Sequence, residues 1–332
     1  MPGIDDQIFN QRVGWWWLKT KKKRVRGIEG GLNIAQHLSY TRNSSVGWRG
    51  AKEEIPLPDQ NPLKEVSYAW KHLTGGLPIY KDDERRNRGS NAIDNWAETL
   101  INNFTETFRD MMGAALFAAG GQGVLDGLAA ICSASNVYPT ADDEQQVPGV
   151  NRALAANAWW RANAGAAHLD GDGNTKGPYN TVEPWSVNGG TEGGWWEGYK
   201  DCSNGAEHPD LIICHSVLYG KFEASLLPNE RYTNAKVAEV GFENLVYKGA
   251  TVVMDDDAGC VGVPGAVGTQ YNAFILTTDK IDICPDTVCE NGLIIDPRHP
   301  LETIRADRVL AEWCGNLTCH RPNRQCLISG KT

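Results

Sequence analysis

Between Pro209 and Ile283 the chain carries an ordered run of local signals that few folds accommodate. Leu211-Ile212-Ile213-Cys214 is a short apolar run of the kind expected for a buried strand. Ser216 offers a hydroxyl to cap a helix. Leu218, Tyr219, Phe222, Leu226 and Leu227 then recur at helical spacing until Pro228-Asn229 stops the run. From Asn244 to Asp255 two β-rich runs flank Lys248-Gly249, which reads as paired strands or one bulged strand. Phe274 to Thr278 is a further β-rich run. The order is strand, helix, strands, strand, and it presents packing surfaces without a nucleophile, base or metal cage.

A long amphipathic helix is expected over Asn91 to Ala119. Ile93, Trp96, Ala97, Leu100, Ile101, Phe104, Phe108, Met111, Met112, Ala115 and Leu116 form one apolar stripe. Ser90 is its expected N-cap, and Gly120-Gly121 ends it. About 28 residues at 1.5 Å each span about 42 Å, long for a globular domain. A second, Gly-broken helix is expected from Val124 to Ser133.

These segments resemble the major capsid proteins of tailed bacteriophages, which share the Hong Kong 97 fold. The residues that carry the resemblance are Pro209 to Leu227, Tyr247-Lys248-Gly249-Ala250 through Asp255, Asn272 to Ile283, and the long helix. It covers residues 60 to 330 and rests on order and character, not on a single diagnostic motif. It implies an α+β fold with an N-terminal arm (1–45), a linker and extended β-loop (46–89), a peripheral domain with a spine helix (90–121 and 238–332) and an axial domain (122–237). It implies self-assembly into hexamers and pentamers of an icosahedral shell around double-stranded DNA, assembled in a host cytoplasm and ending in a virion. The implied partners are other copies of the chain, scaffolding, portal and cement proteins, and DNA contacted without sequence preference. No enzyme activity and no cofactor is expected. An encapsulin-type compartment, which encloses protein, and a Trp-rich carbohydrate-binding module are the alternatives.

Charge is uneven. Residues 1–50 carry nine Lys or Arg against three acidic residues, whereas the whole chain carries 32 against 41. Lys19, Lys21, Lys22, Lys23, Arg24 and Arg26 come directly after Trp15-Trp16-Trp17. Such an arm can contact phosphates, pair with an acidic neighbour, or stay a solvated tail. Three adjacent tryptophans favour anchoring in a groove of a neighbouring subunit. No apolar run approaches the roughly 20 residues of a membrane span, and no membrane partner is expected. The N-terminus lacks signal-peptide order, which points to a chain made and used in a cytoplasm.

Pro56, Pro58 and Pro62 mark a linker. Val66 to Trp70 alternates like a strand, Thr74-Gly75-Gly76 reads as a turn, and Leu77 to Tyr80 as the return strand of a hairpin. By the resemblance this is the loop that reaches over a neighbour, with Trp70, Arg85, Arg86 and Arg88 as contact candidates. Lys64, Lys71 and Lys81 lie in it, but no isopeptide partner is evident. Residues 140–205 are irregular and hold Trp159, Trp160, Trp185, Trp195 and Trp196. A segment of this length is usually an interaction surface.

Candidate chemistry mostly fails on spacing. Asp170-Gly171-Asp172-Gly173-Asn174 starts like a calcium loop, but Thr175 stands where glycine is needed and Thr181 where glutamate is needed. Asp255-Asp256-Asp257 reads as a solvated turn. His168, His208 and His215 have no nucleophile partner by spacing. Of nine cysteines, Cys284, Cys289, Cys314, Cys319 and Cys326 crowd the C-terminus. Typical zinc knuckles use tighter spacing. Ala311 to Cys319 and Arg324 to Ile328 read as strands around Arg321-Pro322-Asn323. An odd separation puts Cys314 and Cys319 on opposite faces, so each is a disulfide candidate only towards another strand or subunit.

Overall fold

The computed structural model describes residues 12–41, 43–50, 54, 59, 61–86, 96–133, 137–162, 168–169, 175–176, 195–225, 245–261, 270–287, 293–301 and 304–331. Six α-helices are described: α1 (Val13–Trp16, continued by a wider turn to Lys21), α2 (Lys81–Arg86), α3 (Trp96–Leu116), α4 (Leu128–Ile131), α5 (Trp195–Cys202) and α6 (Ser216–Ser225). The first five strands are β1 (Ile34–Ser39), β2 (Leu63–Tyr68), β3 (Lys71–Tyr80), β4 (His168–Leu169) and β5 (Thr175–Lys176). Then come β6 (Leu211–Cys214), β7 (Leu245–Tyr247), β8 (Ala250–Met254), β9 (Cys260–Val261) and β10 (Gln270–Leu276). The last four are β11 (Ile281–Pro285), β12 (Leu293–Pro300), β13 (Ala306–Cys319) and β14 (Cys326–Lys331).

Two sheets organise the core. One has the order β14-β10-β6-β8-β7, with β9 also on β10; β6 and β8 run parallel and the other pairs antiparallel. The period-2 alternation of strands sorts its side chains to two sides. Leu211, Ile213, Val253, Phe274 and Leu276 enter the larger apolar cluster, shared with α1 and α3. Ile212, Cys214, Val252, Ala273 and Ile275 enter a second cluster under α5 and α6. The other sheet is built on β13, which pairs β3, β12 and β11 along its length.

The expected strand–helix unit is present, with one change at its cap. α6 begins at Ser216 itself, and the backbone N–H of Val217 donates to His215 Nδ1 at 3.2 Å. The imidazole takes the capping role assigned to the Ser216 hydroxyl. Leu218, Tyr219 and Phe222 are buried as expected, while Leu226 and Leu227 lie outside the described residues. The two runs around Lys248-Gly249 are paired strands: Lys248 (φ 48°) and Gly249 (φ 90°) both take the left-handed conformation of a two-residue hairpin turn.

α3 has the spine-helix stripe, with corrections. Phe108, Met112 and Leu116 are buried at the i, i+4 spacing of one face, but Met111 is exposed, lying about 100° around the helix from Met112 and away from that face. The expected first turn, with Ser90, lies outside the described residues. The helix stops before Gly120, where Phe117 and Ala118 turn out of it. The second helix shrinks to α4, four residues, since glycines at 120, 121, 123 and 127 favour turns.

The hairpin expected from Val66 to Tyr80 does not form. Thr74-Gly75-Gly76 lies inside one continuous strand, β3, paired to β13 from Lys71↔Gly315 to Tyr80↔Ala306. The glycine serves packing here: a Cβ on Gly75 would come within 2.9 Å of Phe104 on α3. β2 instead pairs antiparallel with β1, Ile34↔Tyr68 to Ser39↔Leu63. The first leg of the hairpin is therefore taken from the stretch read as the end of the arm, and its connection runs through residues 40–62.

Gly127 tests how tightly α3 ends. A Cβ there would sit 2.6 Å from the carbonyl oxygens of Ala115 and Leu116 and 2.7 Å from the amide of Ala118. Backbone cannot step aside as a side chain can. Gly127→Ala is expected to cost about 1–3 kcal/mol of stability, read as a lowered urea midpoint at unchanged slope.

Candidate assembly surfaces

The basic arm is held inside the chain. Beyond α1, residues 24–28 lie along β11, with parallel bridges Val25↔Ile283 and Ile28↔Asp286. Arg26 N–H donates to Ile283 O at 2.8 Å and Ile283 N–H to Arg24 O at 2.8 Å. This covers an edge that would otherwise present unpaired backbone groups. Lys22 Nζ reaches Asp210 at 3.0 Å and Asp279 at 3.6 Å, and Arg24 reaches Asp282 at 2.7 Å. Burial works against the Lys22 charge, but Asp210 and Asp279 outweigh it and lift its pKa. Lys23 and Arg26 are exposed to solvent on this arm. The side chain of Lys21 lies outside the described residues, as does Arg88.

The tryptophans pack within this chain. Trp15 and Trp17 are buried in this chain's own core and Trp16 packs against it. Trp15 meets Trp313 edge-on at 6.1 Å, and its Nε1–H donates to Met112 O at 2.9 Å. The burial that three tryptophans demand is supplied by α3 and the β13 sheet within the same chain. Trp70 is likewise buried, with Nε1–H donating to Gly31 O at 3.0 Å. Arg85 and Arg86 are exposed on α2, Arg85 lying 4.0 Å from Asp82. Lys81 pairs with Asp307 across the strand ends at 3.4 Å.

Surface available to partners lies elsewhere. Trp48 is fully exposed, Val46 and Leu32 nearly so, and Leu63 and Tyr40 are exposed at the ends of the β1–β2 hairpin. Met111 and Val124 flank an apolar cavity of about 190 Å³ between α3, β3 and Trp313. Trp48 was missed as a contact candidate in the sequence. The available signal was a lone tryptophan ahead of a Pro-rich, aperiodic stretch, where no element exists to bury it.

Tryptophans of the irregular segment are turned inward where described. Trp160 is buried, with Nε1–H donating to Tyr138 O at 2.7 Å, and Trp195 stacks on Phe222 at 4.9 Å. Trp159 carries Tyr40 at 5.5 Å and Lys64 Nζ at 5.2 Å on its ring. Trp185, the side chain of Trp196 and the stretch 170–174 lie outside the described residues. Asp257 is not a solvated turn residue: Arg12 bridges it to Asp110, both at 2.6 Å. Among the described residues no group of His, Cys, Asp and Glu is arranged for a metal, and no helix is long and apolar enough to cross a membrane.

Cys314 and Cys319 are both in the thiol state and on opposite faces of β13, Cys319 buried and Cys314 partly exposed. Burial of Cys319 within this chain leaves Cys314 as the more accessible of the two towards another subunit. Burial pushes its thiol up to about 12 and that of Cys284 up to about 11, away from the reactive thiolate.

Solved capsids superpose on this fold over nearly the full chain. The capsid asymmetric unit of cyanophage A-1(L) superposes with a TM-score of 0.56, covering 96% of this chain and 92% of that one at 14% identity. The capsid of a native GTA particle gives 0.53, over 95% and 91%, at 11% identity. The chain has the Hong Kong 97 fold. The holo-SrpI encapsulin complex from Synechococcus elongatus PCC 7942 gives 0.52, over 92% and 84%, at 9% identity. No protein-family model and no curated protein matches the sequence. Within the Hong Kong 97 fold, α3 is the long helix expected from the stripe, and the β1–β2 hairpin carries exposed apolar residues near its ends.

Proposed function

We propose that the chain is a capsid protein that assembles with copies of itself into hexamers and pentamers of an icosahedral shell enclosing double-stranded DNA. The observation that carries this is likeness in fold over nearly the full chain to proteins of capsids. Its role is structural, not enzymatic. The peripheral domain comprises 90–121 and 238–332, the axial domain 122–237, and the loop 46–89 is joined by β1 as its first leg. Exposed apolar residues at 32, 46, 48 and 63, Trp48 fully so, are available for contact with further copies. Many weak contacts then suffice, because each subunit touches several others. Scaffolding, portal and cement proteins are the further partners of a chain made in a host cytoplasm and ending in a virion.

An encapsulin-type compartment is the second reading. The likeness to the SrpI complex favours it, as does the arm, where Lys22 and Arg24 are already paired to acidic residues of the same chain. The sugar-binding alternative loses its stacking surface at Trp160 and Trp195, both buried.

Particles made in a bacterial host, treated with nuclease and then extracted, separate the two leading readings. Protected double-stranded DNA supports the capsid. Particles holding only a discrete protein overturn it in favour of the compartment. Trp48→Ala is expected to leave the unfolding free energy within about 0.5 kcal/mol, because the side chain faces solvent, while lowering the yield of particles in a sizing column.

A further inference from the structure

On one face of the β13 sheet, β3 and β13 bring three functional groups together. The register sets Cys314 directly across from His72, with Glu312 two residues along on the same face. His72 Nδ1 lies 3.2 Å from Glu312 Oε1, and His72 Nε2 lies 3.9 Å from Cys314 Sγ. With the ring proton on Nδ1 and donated to the carboxylate, Nε2 is the acceptor that faces the thiol. A nucleophile, a base and a group that orients the base are thereby held in line.

We propose that Cys314 is a nucleophilic thiol that exchanges with small disulfides of the glutathione type, His72 serving as its base and Glu312 positioning the imidazole. In the exchange the Sγ proton passes to His72 Nε2. Sγ then attacks one sulfur of the reagent, its S–S bond breaks as the new S–S bond forms, and the departing thiolate takes the proton back from the imidazolium. No outside oxidant is needed, since the reagent's disulfide is reduced as Cys314 is oxidised.

One observation favours this chemistry over acyl transfer, and another favours Cys314 over the other described cysteines. Acyl transfer needs backbone N–H groups aimed at a developing oxyanion. Here the strand backbone is committed: β13 is paired to β3, β12 and β11, and Asp286 N–H donates to Cys314 O at 3.1 Å. Disulfide exchange keeps its charge on sulfur and needs no such hole. The other six cysteines whose side chains are described are buried, and burial pushes Cys132, Cys214, Cys284, Cys319 and Cys326 up and away from the thiolate. Cys314 is partly exposed, between side chains that are themselves about half exposed.

The test is the rate at which the full-length protein forms a mixed disulfide with oxidised glutathione, with the adduct located by peptide mass mapping. The expected result is one adduct per chain on Cys314, slowed about tenfold in His72→Gln and by a smaller factor in Glu312→Gln. Cys314→Ser abolishes it. The rate–pH profile is expected to rise earlier in the natural protein than in either variant, a difference that a purely structural role would not produce. Among the described residues His72 and Glu312 are charged or titratable groups that lie beside the thiol, and Asp286 meets this strand through its backbone N–H. Both variants alter half-exposed side chains, so intrinsic tryptophan fluorescence should show an unchanged fold. An adduct that forms first on another described cysteine, or on Cys314 at the same rate in His72→Gln, overturns the proposal.

Discussion

Lys71→Met is expected to destabilise the folded chain by about 3–5 kcal/mol, the cost of removing one member of a buried ion pair. Lys71 and Asp142 are 2% and 5% exposed, and Nζ donates to Asp142 Oδ2 at 2.9 Å and to Gly121 O at 3.0 Å. The substitution strands a carboxylate and a carbonyl away from water. Replacing both partners by apolar residues, Lys71→Met with Asp142→Leu, should restore most of the loss, because the charge left behind is what costs. Urea unfolding of the two singles and the double measures this coupling.

The same pair makes stability depend on acid. The hydrogen bond from Lys71 holds the Asp142 carboxyl below its ordinary value. Its contribution is fully present above the unfolded carboxyl's pKa, about 3.9. It is lost as pH falls through the lower folded value. In Lys71→Met this acid-labile part should vanish from the stability–pH curve.

Trp15→Ala is the second large expectation, a loss of about 3–5 kcal/mol. It removes a fully buried indole that meets Trp313 edge-on and donates to Met112 O. This outcome also separates the two placements of the arm. A tryptophan docked on a neighbour would leave the isolated chain's unfolding unchanged and weaken only association. A core tryptophan lowers the stability of the isolated chain, which guanidinium unfolding at low concentration reads directly.

Local signals in the sequence translated well where burial is two-sided. Leu211 to Cys214, Leu245 to Met254 and Phe274 to Leu276 form strands, because alternate residues fill two separate apolar clusters and only one register does this. The spine helix was legible from Phe104 to Leu116 by its period. Long-range pairing was not legible. Gly75-Gly76 carries a turn signature, yet it lies mid-strand because Phe104, 29 positions away in sequence, needs the room. The partner of β2 is β1, across an aperiodic connection that no local rule bridges. The arm misled for a related reason: a Trp-Trp-Trp-basic run states that something must cover it, not whether that is the same chain. Lys71 read as a loop lysine because its acid partner stands 71 residues away. Cys314, His72 and Glu312 come together only through the β3–β13 register, and no spacing in the sequence announces it.

The most direct test of the central claim is electron microscopy of the expressed protein, with mass by light scattering across concentration and salt. Closed shells of uniform diameter, or hexameric and pentameric rings that close into them, are the expected result. A chain that remains a strict monomer at every concentration and salt, and in extracts of the host that expresses it, contradicts the account.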